Sequence, residues 1–405
     1  MNWVRFAVAV LAGAGLTLPA ATVAKITYSK EVAPILNRRC VECHRAGEAA
    51  PMVFTSYKDV RPWAKAVREA VLSRKMPPWL ADPHIGKFAN DRRLTQAEMD
   101  TITAWVDAGA PEGDARDLPP PPEHVTGWGI GKPDVVIDMG ADFEVPAGGV
   151  VPYKYFTVET GLKEDVWIEA AECRPDKRGV VHHMIVFIQD PKEGALAGTG
   201  GNLLVGWAPG DPPMNYAPGT AKLLRVGAKL RFQLHYTPNG KPATDRSYVG
   251  FRLAKQPPQY RALTGRAINF AFKIPPNEAS HEVRASWTAR EDVRLTSLMP
   301  HMHVRGKDFK YTVVYPDGRE EVLLSVPGYN FNWQLSYTLA EPLTLAKGTR
   351  IDCVAHFDNS ANNKANPDPS QEVKWGDQTW EEMMIGWFNY TVLPPQVQPT
   401  GAGTE

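Results

Sequence analysis

"AKLRFQLHYTP", residues 228–238, alternates with a period of two. Leu230, Phe232, Leu234 and Tyr236 fall on one face, and Lys229, Arg231, Gln233 and His235 on the other. That pattern predicts a strand with one face in a core, and it puts His235 on the polar face. The same reading extends outward to "DVWIEAAEC" (165–173), "HHMIVFIQ" (182–189), "SYVGFRLA" (247–254), "KYTVVYPDG" (310–318) and "TRIDCVAHF" (349–357). Many strands separated by turn residues, with few helices, predict β-sandwiches. The stretch has room for two, 132–257 and 258–395, joined near the proline-rich "KQPPQYRAL" (255–263).

The start of the chain reads differently. Arg5 precedes the apolar "FAVAVLAGAGLTL" (6–18), followed by Pro19 and small residues. This is the pattern of a cleaved signal over 1–24, too short to span a bilayer. It predicts an exported protein, periplasmic or secreted, with no membrane span after cleavage. Basic and acidic residues balance at 45 each, which gives no support to a nucleic-acid partner. Four cysteines are too few for a disulfide-stapled scaffold.

Two of those cysteines stand in "RRCVECHRAG" (38–47) as Cys40-Val41-Glu42-Cys43-His44. This is the C-x-x-C-H pattern of covalent haem c attachment, with His44 as proximal iron ligand. Around it, helical spacing in 29–40, 57–74 and 94–113 predicts a small all-α cytochrome c-like domain over 25–113. Met76, in the proline-fixed "RKMPPW", is the preferred sixth ligand, with Met52 as its rival. A proline-rich linker follows over 114–131, and a tail over 396–405.

Histidines mark the β-rich part. His182 and His183 are adjacent, so a regular strand would send them to opposite faces. Sharing one ion requires a strand end or a bulge. His301 and His303, in "LMPHMHVRGKDF" (298–309), are two apart and point the same way on a strand, as chelation of one metal needs. "WEEMMIGWFNYTV" (380–392) adds Met383 and Met384, soft thioethers that with imidazole favour copper. His356 is a candidate to orient a ligand, although a turn histidine is the simpler reading.

The order "VHHM", "LHYT", "HMH", "EEM" resembles the copper type II monooxygenases, the group of peptidylglycine α-hydroxylating monooxygenase and dopamine β-hydroxylase. The resemblance covers about residues 132–395. It implies two jelly-roll-like β-domains facing each other across a solvent-filled cleft, with one copper on each. It implies that His182, His183 and His235 bind an electron-transferring copper. His301, His303 and Met383 would bind the copper where oxygen and substrate meet, with Met384 as the alternative to Met383. The implied reaction hydroxylates a C–H bond of a small-molecule substrate with O2. The fused haem, itself fed by a periplasmic electron donor, would supply electrons that the animal enzymes take from ascorbate. The positions that hold a peptide carboxylate in the peptidylglycine enzymes read Met299, Ile385 and Trp387 here, which argues against that substrate. The alternative is a non-catalytic haem and copper electron-transfer protein, or a copper-binding periplasmic protein.

Overall fold

A computed structural model describes residues 25–48, 50–123, 127–192 and 202–394. The expected signal over 1–24 and tail over 396–405 lie outside the described residues. Among those described, no helix is long and apolar enough to cross a membrane.

The opening stretch becomes the strand Lys229–Tyr236. It lies between Lys154–Glu159 and Val181–Gln189 in a four-stranded sheet closed by Asn202–Trp207. Its apolar face is fully buried at Leu230, Phe232 and Leu234, against Ile168, Ala171 and Phe251 of a facing sheet. A second four-stranded sheet runs His281–Thr288, Arg350–Phe357, Gly306–Val314, Glu320–Val326. It packs on Tyr260–Asn269, Met384–Val392, Val293–His301 and Tyr337–Leu345 around Leu298, Tyr311, Cys353 and Met384.

The sheets facing these two are one sheet. Nine strands are hydrogen-bonded in a single array, and the halves meet where Thr220–Leu224 pairs in parallel with Tyr260–Asn269. That seam is two residue pairs long: Tyr260 with Thr220, and Arg261 with Ala221. A small apolar cluster of Phe187, Leu203, Met383, Ile385 and Trp387 seals the units beside it.

The expectation of a small all-α cytochrome c-like domain followed by two separate all-β jelly-roll-like sandwiches is corrected by these elements. Among the described residues strand outweighs helix, 38% against 12%. The α-helices among the described residues are short, Ala33–Arg39, Tyr57–Val60, Ala64–Leu72 and Gln96–Asp107, and no sizeable all-α domain forms there. Prolines are one cause. Pro62 has no N–H to give, and the helix expected over 57–74 breaks there into a tight turn at Arg61–Trp63. Trp63, on the expected buried stripe, is 45% exposed, while Val67 and Val71 are buried. The other cause is packing. Residues 79–90 leave the helices and join the second β core, where Trp79 and Phe88 pack on Tyr337. There Asn90 Nδ2 donates to the Ser336 carbonyl at 2.8 Å, and the Thr338 amide donates to Asn90 Oδ1 at 2.9 Å. The helical segment is therefore stitched to the sheets as well as tethered to them. The last helix does start at the expected capping box, Thr95 with Glu98.

Candidate metal centre

His183 pairs with His235 across the sheet, and Val181 with Tyr236, so His182 has no partner of its own. This is the extra residue of a bulge, and it brings both neighbouring histidines to one side. One ring nitrogen from each of His182, His183 and His235 lies within 4.8 Å of the others. His183 and His235 are buried, with Nε2 of the first and Nδ1 of the second making no hydrogen bond. The face of Lys229–Tyr236 that reads as polar thus begins exposed at Lys229 and ends buried at His235.

The second set stands at the end of Val293–His301. The rings of His301 and His303 are 5.3 Å apart, and both residues are buried. His301 Nδ1 lies 2.7 Å from Gln334 Oε1, and His303 Nδ1 lies 3.1 Å from the Glu381 carbonyl. Both partners are acceptors, so Nδ1 carries the proton and Nε2 is left bare. The bare Nε2 of His303 is buried and unpartnered. Glu382, fully buried, fixes this turn by accepting from the His303 amide at 2.8 Å and the Arg305 amide at 2.6 Å. Burial pushes its carboxyl up to about 8, opposed by those amides and by Arg305.

Burial also lowers all five imidazoles: His235 and His303 to about 3, His301 to about 4, with His182 and His183 moved in the same direction. They are neutral at ordinary pH, the form that offers a lone pair to a metal. Buried, unpartnered neutral nitrogens on His183, His235 and His303 are the donor chemistry a copper needs, so the residues fit that ion.

Of the two methionines, Met384 is in the second β core. Met383 points the other way, into the apolar cluster between the units with Ile385 and Trp387. His356 faces an acid instead, its Nδ1 2.7 Å from Asp308 Oδ1. Where the resemblance implies a solvent-filled cleft, two rings stand between the histidine sets. Tyr153 is 4.8 Å from His235, 5.4 Å from His183 and 5.9 Å from His303, centroid to centroid. Phe331 is 5.7 Å from His235, 5.8 Å from His182 and 5.9 Å from His303. Sequence reasoning missed Tyr153, Phe331, Gln334 and Glu382 as parts of the site. It also missed Lys222, which is buried at the seam and donates to the Leu203 carbonyl and, at 2.8 Å, to Thr264 Oγ1. Burial lowers its ammonium to about 7.

At the C-x-x-C-H turn, Cys40 and Cys43 are free thiols, and burial raises both, Cys40 to about 12. His44 is buried and stacked on Phe54 at 4.3 Å. Its Nδ1 lies 3.0 Å from the Met52 carbonyl, which again leaves Nε2 bare. Two unpaired thiols beside a histidine with one free nitrogen are the groups a covalent haem uses, so these residues fit it as well. Met76 lines a cavity of about 530 Å³ with Trp79, Leu94 and Met99; His44 does not line it. The turn lies against the first β unit. Gly210 packs so close to Cys43 that a Cβ there would stand 3.2 Å from Sγ, and Arg178 pairs with Glu48 at 2.6 Å.

No protein-family model matches the chain, and no curated protein matches it. Among solved structures it is similar to the major capsid protein P2 of bacteriophage PM2. The identity is 8%, over 64% of this chain and 98% of that one, with a TM-score of 0.26. It is also similar to infectious bursal disease virus, Gx strain, at 9% identity over 66% of this chain and 74% of that one, TM-score 0.21. Likenesses this small carry no argument about fold or function, so the site rests on its own geometry.

Proposed function

We propose that this chain is an exported copper-dependent monooxygenase that hydroxylates a C–H bond of a small organic substrate. The observation that carries the reading is the pair of buried histidine sets with bare nitrogens, one on each β unit and facing each other. His182, His183 and His235 would hold one copper; His301 and His303, with Met383 as the third donor, would hold the other. Bound there, copper supplies one-electron redox chemistry and a place for O2, and a haem on Cys40 and Cys43 supplies electrons. The protein's own part is positional. Gln334 and the Glu381 carbonyl fix the tautomers of His301 and His303, so that Nε2 faces inward. Glu382 clamps the turn that carries them. Tyr153 and Phe331 exclude water between the sets. The contact of Cys43 with Gly210 seats the haem turn on the unit bearing the first set. A haem held on Cys40, Cys43 and His44 would take Met76 as its remaining ligand, with Met52 as the alternative.

One observation favours a second reading, a non-catalytic haem and copper electron-transfer protein. A cavity between the units is lined by His183 and Gln334, but by neither His301 nor His303. Metal and haem analysis of the exported protein, followed by a screen for substrate-dependent oxygen uptake, separates the two. Two coppers with substrate-dependent uptake support the enzyme, and two coppers with no uptake support the carrier.

A further inference from the structure

Between the two β units lies a cavity of about 250 Å³. Its walls include Leu203, Trp207, Leu263, Met299, Trp387 and Phe388, so it is largely apolar, and it is small for a ligand pocket. Two polar groups on its wall are buried without a partner: the Tyr216 hydroxyl and Gln334 Nε2. Gln334 is only 8% exposed, and its Oε1 is taken by His301, so the amide N–H2 is what remains. A buried donor left unpaired is costly, and both of these groups can donate. The charge on the wall is equally informative. Asp211 is there, and among the described residues no lysine or arginine lines the cavity, although Lys222 donates from behind the wall to the Leu203 carbonyl and Thr264 Oγ1. Arg92 lies behind Asp211, donating to the neighbouring Gly210 carbonyl at 3.2 Å, and the Ala208 amide donates to Asp211 at 3.2 Å. These groups offset the acid only in part, since burial still pushes its carboxyl up to about 6, which leaves a modest demand for a cationic ligand and a penalty for an anionic one.

We infer that this cavity binds a small, uncharged, largely apolar molecule carrying an oxygen acceptor, held by Tyr216 and Gln334, and rejects carboxylates. This rests on the monooxygenase reading for its role, as substrate chamber, but not for its existence as a binding site.

The test is titration of the full exported protein with three probes of nearly equal size: acetophenone, benzoate and benzylammonium. Trp207 and Trp387 on the wall give a fluorescence readout, checked by calorimetry. Acetophenone should bind saturably, with benzoate at least about tenfold weaker and benzylammonium weaker than acetophenone. Tyr216→Phe should weaken acetophenone about fivefold, one hydrogen bond's worth. Asp211→Asn should bring benzoate toward acetophenone while leaving acetophenone within about twofold. Benzoate or benzylammonium binding as tightly as acetophenone, indifference to Tyr216→Phe, or no acetophenone binding would each overturn the inference. Copper analysis of the same sample keeps the two ideas apart. Acetophenone binding without copper sustains the chamber and removes the oxygenase. Two coppers without acetophenone binding does the reverse.

Discussion

Glu382→Gln tests whether the second histidine set is held in place by its own turn. The carboxyl accepts two backbone amides, one on each oxygen, at 2.8 Å from His303 and 2.6 Å from Arg305. Glutamine keeps the length and one acceptor but turns an N–H2 toward the other amide. One hydrogen bond to a potentially charged group is lost, and a buried donor is left facing a donor. Each effect is worth about 1–3 kcal/mol. Part of that loss falls on global stability. The part that falls on the position of His303 appears as weaker metal binding, and changes to groups that orient ligands typically cost about 10–100-fold in affinity. The expected result is a folded protein whose weaker copper dissociates at least about tenfold more readily, while the copper at His182, His183 and His235 is unchanged. Competition with a Cu(I) chelator, read alongside urea denaturation, measures both. If the variant unfolds no earlier and both coppers keep their affinity, Glu382 is not the clamp described here.

The remaining expectations are separate experiments. Intact protein should hold about two coppers, and His182→Ala or His235→Ala should lose one and spare the other by elemental analysis. Met383→Ile, which conserves volume and removes the sulfur, should abolish substrate oxidation and leave the first copper exchanging electrons with the haem in stopped flow. Met384→Ile, in the β core, should instead cost up to about 1.5 kcal/mol of stability and keep turnover; the opposite pattern would move the ligand by one residue. Cys40→Ala with Cys43→Ala should abolish covalent haem and its absorbance, and haem surviving covalently in that variant would end the assignment. Lys222, lowered to about 7 by burial, should make folding more favourable as pH rises, because above that value the unfolded chain binds a proton that the folded one does not. Compared with Lys222→Met, wild type should gain about 2 kcal/mol in urea stability between about pH 8 and about pH 9.5, at about 1.4 kcal/mol per unit. A difference that stays flat with pH contradicts the burial argument. The variant comparison matters because the buried thiols of Cys173 and Cys353 titrate in the opposite sense.

The legible parts of the sequence were those with a local period. Alternation in 229–236 identified a strand and its buried face, and the capping box at Thr95 identified a helix start. The adjacent histidines raised the need for a bulge, and the register break between Val181 and His183 supplies one. What was illegible is non-local. Nothing in "TAKLL" or "YRALTG" announces that two residue pairs fuse two sheets. The helical spacing of residues 57–74 was real, but it could not report that residues 79–90 would be taken up by a β core more than 200 residues away. Tyr153, Phe331 and Gln334 reach the histidines through tertiary packing, with no spacing signal to find them by.

The two-rung seam has a consequence for how the histidine sets are spaced. Two units joined only by a flexible tether would let the gap between their sites drift with each thermal swing. Here a continuous ladder of backbone hydrogen bonds runs from one unit into the other, and Lys222 is wedged beside its narrowest point. The gap is therefore ruled by the backbone, like the separation of two posts on one beam. A change at Ala221, which lines neither the histidine sets nor the cavity, would retune it from a distance.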